Sequence, residues 1–289
     1  MQYQPSVGGR QFTLASLIKS LKSLPAGLTT ALRKQKWMIG LSSPNRRNHR
    51  KLEIDISYRC NKKCRQCNRS SPQAPSREEM SVEQVQKFIL ESVERKIRWD
   101  SIMVLGGEPT LHPKLPEILG LLIDYRREHS GSTAIVLATN GVGAKVKSVL
   151  DKLPKEVTLR NSAKDARTQF AESYAHEPFN EAPQDSLLYR FSDFRIGCYM
   201  TSSCGTGLTP FGYYVCPIAG GGIDRVFGFD AGRKEIPAPD DQMDDQRLLF
   251  CRLCGHFKEK FAHNTEYCSP TWKEAYREFA VRPPTLSRY

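Results

Sequence analysis

The chain has 289 residues, 39% of them hydrophobic and 26% charged, ordinary globular usage that excludes wholesale disorder, collagen and a coiled coil. No run of 18 apolar residues occurs, so no transmembrane segment is expected, and the opening MQYQPSVGGRQF lacks the pattern of an export signal. The net charge of +12 is lopsided: residues 1–51 hold ten Lys or Arg and no acidic residue, leaving +2 for the remainder, so basicity marks one segment and is no argument for nucleic acid by itself.

Within the first 50 residues Leu14, Leu17, Ile18, Leu21, Leu24 and Leu28 recur near helical spacing, interrupted by Pro25 and Gly27. Residues 1–50 read as a basic helical extension, either a cap packed on the main domain or an arm for nucleic acid, an acidic partner or an anionic membrane surface. From Lys51 the texture changes. Leu52, Ile54 and Ile56 alternate with Glu53, Asp55 and Ser57 as a first strand, which turns the two carboxylates away from the apolar face. Ser81 with Gln84 three residues on is a capping-box signal for a helix to about Lys96. Strand 101–105, helix 113–129, strand 133–138, helix 143–153 and strand 157–160 follow in turn. This rhythm predicts right-handed βαβ units, a parallel sheet, and chemistry on the loops after its strands. Beyond Asn161 the rhythm fails, so the fold class is α/β with an incomplete (β/α) barrel over 51–195 and a small Cys-rich module over 196–289.

Nine cysteines without an export signal point to metal or redox chemistry in a reducing, cytoplasmic setting. Cys60, Cys64 and Cys67 form C-x3-C-x2-C directly after the first strand. Three thiolates on one loop can hold three irons of a [4Fe-4S] cluster and leave the fourth open. The alternative is zinc completed by His49 or His112, although closed zinc sites favour two-residue spacings. Gly106-Gly107-Glu108-Pro109 follows the second strand and Thr139-Asn140-Gly141 the third. Paired glycines permit close backbone approach to a ligand, and a carboxylate suits an ammonium group.

These three segments, in this order and each at a strand's C-terminal end, resemble the radical S-adenosylmethionine (SAM) superfamily. The resemblance implies a [4Fe-4S] cluster on Cys60, Cys64 and Cys67, with the methionyl amino group of SAM at Gly106, Gly107, Glu108 and Pro109. It also implies a nucleoside pocket at Thr139 and Asn140, and ribose or carboxylate contacts from Ser162 beside Arg160 and Asn161. The chemistry implied is reductive cleavage of SAM to methionine and a 5′-deoxyadenosyl radical, which takes hydrogen from a small-molecule or peptidyl substrate. A flavodoxin- or ferredoxin-type electron donor would meet the basic residues Lys62, Lys63, Arg65 and Arg69. The position before the third cysteine, aromatic in that family, is Gln66, so adenine stacking is not expected from it.

The later cysteines resemble the auxiliary-cluster extension of the SPASM and twitch subfamilies. Cys216 follows the short hairpin expected around Pro210–Gly212, and Cys251 with Cys254 supplies the C-x2-C pair, while Cys198 and Cys204 compete for the first ligand. Six cysteines, Cys268 included, are too few for two fully Cys-ligated clusters, so one auxiliary [4Fe-4S] cluster and a net oxidation are expected; structural zinc on the same cysteines is the alternative. Two other functions stay open: SAM-dependent modification of RNA or a nucleotide, and a non-catalytic zinc protein that binds nucleic acid. Asp224 and Arg225, after the run Gly220-Gly221-Gly222, read as substrate contacts or as a surface ion pair.

Overall fold

In a computed structural model, residues 26–35, 44–162, 179–258 and 267–289 are described. The stripe from Leu14 to Leu24 lies outside them. Its continuation is a short helix, α1 (Ala26–Arg33). The expected βαβ succession follows as β1 (Lys51–Ser57), α2 (Val82–Glu94), β2 (Ser101–Gly106), α3 (Leu115–His129), β3 (Ala134–Thr139), α4 (Ala144–Leu150) and β4 (Val157–Asn161). Both halves of the capping box at Ser81 and Gln84 are present at the start of α2.

The sheet has the order β4-β3-β2-β1-β5-β6, where β5 is Thr206–Thr209 and β6 Gly212–Tyr214. The first four strands are mutually parallel and β5 pairs parallel with β1, with Leu52 opposite Thr206 and Ile54 opposite Leu208. The late hairpin therefore extends the main sheet across the boundary expected at residue 195. Leu52, Ile54, Ile102, Val104, Ile135 and Leu137 point to one face and pack with Val85 and Phe88 of α2 and Leu119 and Leu122 of α3. Each such fully buried side chain contributes roughly 1.5–3 kcal/mol, which makes this face the main core and frees the other for the loops. The first cluster-like loop, the turn after β2 and the turn after β3 all lie at the same sheet edge, as parallel strands require.

A second core gathers Tyr58, Tyr214, Val215, Ile218, Phe250, Leu253 and Trp272. It joins β6 to a π-helical turn (Ala219–Asp224), α6 (Asp244–Phe250) and α7 (Pro270–Val281), with α5 (Tyr199–Ser203) leading into β5. No helix among the described residues is long and apolar enough to cross a membrane.

Candidate active site

The loop after β1 is gripped by the turns after β2 and β3. Ser57 O accepts from Gly107 N–H at 2.6 Å and Arg59 O from Glu108 N–H at 2.8 Å. A Cβ on Gly106 would stand 2.2 Å from Ser57 O, and one on Gly107 2.4 Å from Arg59 O. Gly106 also has φ +137°, a conformation that favours glycine. The close approach expected toward a ligand is thus, on the Cβ side, an approach to the cysteine loop itself.

Glu108 is fully buried and N-caps a short turn beginning at Pro109. Its Oε1 accepts from Thr110 N–H at 3.2 Å, Thr110 Oγ1 at 2.7 Å and Thr139 Oγ1 at 2.8 Å, and its Oε2 from Asn140 N–H at 2.8 Å. The carboxylate therefore locks the two turns together, and an ammonium could use only what capacity Oε2 has left. Asn140 Nδ2 donates to Asn61 Oδ1 at 2.8 Å and lies 3.9 Å from Cys60 Sγ, while Asn61 Nδ2 donates to Val142 O at 2.6 Å. Ser162 closes the group, with its N–H and Oγ both donating to Thr139 O at 2.9 and 3.0 Å. Arg160 reaches Met103 Sδ at 4.0 Å.

Cys60, Cys64 and Cys67 are half-buried neighbours. Burial pushes the Cys60 thiol up to about 11; the Lys62 N–H opposes this, and Cys67, Glu108 and Cys64 add to it. Such a set ionises when a metal core supplies compensating charge. His112 does not complete it as a zinc ligand: its Nδ1 accepts from Lys114 N–H at 3.1 Å and its Nε2 faces Met80 O at 3.0 Å.

The loop's far side is tied to the second core. Gln73 Nε2 donates to the carbonyls of Cys64 at 2.9 Å and Arg65 at 2.5 Å, and Asn180 Nδ2 to Arg65 O at 2.9 Å. Gln66, in place of the usual aromatic, is buried, receiving Phe179 and Asn180 N–H and donating to Tyr267 O at 2.7 Å. Arg225 is buried against the Tyr58 ring at 4.4 Å and donates to the carbonyls of Ala74 at 2.6 Å and Arg69 at 2.8 Å. Asp224 is buried too, accepting from Tyr214 OH at 2.7 Å and Ala231 N–H at 2.9 Å. The expected surface ion pair is not formed.

Arg69 leaves the expected basic face as well. It is buried on the inner face of the sheet, 3.2 Å from both Glu53 Oε2 and Asp55 Oδ1, where β1's alternation placed the two carboxylates. Burial lifts the Asp55 carboxyl to about 6, with Arg69 opposing and Glu53 reinforcing. Asp55 Oδ2 has no hydrogen-bond partner among the described residues, and Tyr58 OH lies beside it. Both face Gly221, where a Cβ would stand 2.3 Å from Asp55 Oδ2.

Four cysteines, Cys198, Cys216, Cys251 and Cys254, line one narrow apolar cavity together with Met200 and His256. Burial, then the mutual proximity of the sulfurs, holds the Cys251 and Cys254 thiols well above the ordinary value. Burial pushes the Cys216 thiol up as well, with the Ile218 and Ala219 N–H groups opposing it. Cys204 does not line the cavity: its thiol sits 3.8 Å from Met200 Sδ and against Glu53, and burial pushes it up to about 12. Cys268 lies beside Tyr276 in a surface cleft with Gln66 and Gln73. Among the described residues no three His, Cys, Asp or Glu side chains are arranged to hold a single metal ion.

Sequence reading missed Gln73, Arg247 and Lys34. Arg247 had a signal, since it stands four residues before Cys251 and so shares its helix face; Gln73 folds back on its own loop, and Lys34 arrives from a remote segment.

Residues 54–159 match the Radical SAM superfamily model. GTP 3′,8-cyclase of Aliarcobacter butzleri is 28% identical over 129 residues, 39% of this chain and 38% of that one. A 7,8-dihydro-6-hydroxymethylpterin dimethyltransferase of Methanocaldococcus jannaschii is 35% identical over 107 residues, 37% of this chain and 20% of that one. The chain thus matches well under half the length of these curated relatives. A crystal structure of BtrN in complex with AdoMet and 2-DOIA aligns with TM-score 0.43 and 16% identity, covering 75% of this chain and 96% of that one.

Proposed function

From a radical SAM domain over residues 54–159, we propose that this protein is an enzyme that takes hydrogen from a small-molecule or peptidyl substrate in a net oxidation, with a second, auxiliary [4Fe-4S] cluster. Cys60, Cys64 and Cys67 hold the first cluster, and Cys198, Cys216, Cys251 and Cys254 the second. The observation that carries this reading is the second set of four thiols around one cavity. When bound, the first cluster and SAM supply a reductively generated carbon radical. The chain's residues do the rest. Glu108, Thr139 and Asn140 fix the loop that carries Cys60. Gly106, Gly107, Pro109 and Ser162 shape the edge where SAM is held, and Lys62, Lys63 and Arg65 face an acidic electron donor. A four-cysteine cluster accepts the electron that a net oxidation must remove from the substrate.

A second reading, a nucleotide substrate, draws on the relatives named GTP 3′,8-cyclase. They cover no more than 39% of this chain, so GTP enters as one compound in a substrate panel.

Anaerobic reconstitution tests the proposal. The full chain should hold about eight irons, four per cluster. Replacing Cys60, Cys64 and Cys67 together by Ala should leave about four and abolish SAM cleavage; replacing Cys198, Cys216, Cys251 and Cys254 by Ala should leave about four and spare it. Stoichiometric zinc without sulfide would end the enzyme reading.

A further inference from the structure

The run Gly220-Gly221-Gly222 forms the middle of the π-helical turn Ala219–Asp224, a form that recurs at functional sites. This turn is pressed against the segment that leaves the first cysteine loop. A Cβ on Gly222 would stand 2.2 Å from Asn68 O, one residue after Cys67, so only glycine lets the two backbones come this close. Ser70 Oγ donates to Gly222 O at 3.1 Å and lies 2.9 Å from Tyr276 OH of α7. Arg225, 3% exposed at the end of the turn, spreads its guanidinium over three carbonyls. Its Nε donates to Gly221 O at 3.1 Å, Nη1 to Ala74 O at 2.6 Å and Nη2 to Arg69 O at 2.8 Å, while the Tyr58 and Phe279 rings lie 4.4 and 5.6 Å away.

What these contacts hold is a strained turn. Ser70 has φ +50°, in the left-handed region that residues other than glycine seldom adopt, and its N–H donates to Cys67 O at 2.8 Å. Such a conformation persists only where its surroundings over-determine it. The two ends of the cysteine loop are thus held from different sides. Near Cys60 the partners are Glu108 and Asn140, on turns of the parallel sheet. Beyond Cys67 they are Gly222, Arg225 and Tyr276, on elements joined by the second core.

We propose that Arg225 is a positioning residue for Cys67: with Gly222 and Ser70 it fixes the backbone that carries the third thiol, so the second core completes the first site. This rests on reading Cys60, Cys64 and Cys67 as the cluster that takes SAM, and not on what the second cavity holds. Three thiolates on one cluster need their sulfurs placed together. The planar guanidinium serves because it donates in several fixed directions at once, and a side chain without donors would leave buried carbonyls unpaired.

The test uses anaerobically reconstituted full-length Arg225→Met and Ser70→Ala, with Leu122→Ala as a control. Leu122 is fully buried in the main core, so its truncation costs stability without touching the loop. Electron paramagnetic resonance of the reduced protein with and without SAM isolates the first site as the signal that responds to SAM, and a chelator titration measures how firmly that site holds its iron. In Arg225→Met the responsive signal should vanish at roughly ten- to hundredfold lower chelator than in wild type, the usual cost of losing a group that orients a metal ligand. Ser70→Ala should move the same way by a smaller factor, and Leu122→Ala should match wild type at a temperature where it is folded. Where Arg225→Met folds, it decides; where it does not, Ser70→Ala decides. Wild-type chelator resistance and SAM response in the deciding variant, or an equal loss in Leu122→Ala, overturns the proposal. A wild-type chain with no SAM-responsive iron–sulfur signal removes the first-site reading itself, and the role of Arg225 with it.

Discussion

The two thiol sets are held by opposite means. Cys60, Cys64 and Cys67 sit half-buried on a loop whose backbone is fixed by directional hydrogen bonds from Gly107, Glu108, Gln73 and Asn180. Cys198, Cys251 and Cys254 are buried, and the four-thiol cavity is walled by Ile218, Ile223, Phe250 and Phe257. Under the proposed function, the difference follows from what each set would have to admit. A cluster that exchanges a cofactor needs an open side, so packing cannot hold its loop and polar contacts do it instead. A cluster that only passes electrons can be closed, and apolar walls keep water from it. Arg69 and Arg225 are buried close to the first loop, one on the carboxylates of β1 and the other on the carbonyls that follow Cys67.

The largest effect should come from breaking the polar grip on the first loop. In Glu108→Gln the amide NH2 meets donors where a carboxylate oxygen accepted them, so at least one buried N–H or O–H of Thr110, Thr139 or Asn140 loses its acceptor. The expected loss is roughly 3–5 kcal/mol of unfolding free energy in urea, from a buried, charge-assisted group left unpaired. Iron at the first site should fall while iron at the second is retained. A stable variant with weakened SAM binding alone would return Glu108 to a ligand-facing role.

A smaller, pH-dependent effect should come from the junction. The Asp55 carboxyl, lifted from 3.8 to about 6 by burial, binds its proton more tightly in the folded chain than in the unfolded one. Its stabilising contribution is therefore full below about pH 4 and is lost as pH rises through about 6, in total about 3 kcal/mol. Asp55→Asn keeps a neutral group beside Arg69 and should flatten that part of the profile. Urea unfolding between pH 4 and 7 measures it, and superimposable profiles for the two proteins would show that Asp55 is ionised throughout.

Much of the first region was legible because its signals are local. The alternation in β1, the box at Ser81 and the three strand-end motifs are each read within a few residues, and each stands where the parallel sheet needs it. The sequence marks Glu108 as a carboxylate suited to an ammonium group, whereas the partners its oxygens have in the structure are the chain's own Thr110, Thr139 and Asn140. The second region was legible only as spacing. Cys198 and Cys204 look alike in sequence, and only the course of α5 turns one toward the cavity and the other toward Glu53. Lys34 could not be found at all, since it meets Phe257 across 223 residues, and such pairings leave no periodic trace.

The smallest effect separates general stability from either site. Ser81 N-caps α2, its Oγ accepting Gln84 N–H at 3.2 Å while Gln84 Oε1 accepts Ser81 N–H at 3.0 Å. α2 packs on the main core, remote from both thiol sets. Ser81→Ala should cost about 1 kcal/mol, the usual value of an N-cap. Gln84 should keep its place, because its Nε2 also donates to Pro210 O at 2.8 Å and Tyr289 O at 3.2 Å. Iron content, SAM cleavage and both cluster potentials should match wild type at a temperature where the variant is folded. If so modest a loss on the helical face also emptied the Cys60, Cys64 and Cys67 site, that loop would be responding to global stability. Its own hydrogen bonds to Glu108 and Gln73 would then not be what holds it, and the contrast between the two regions would fail.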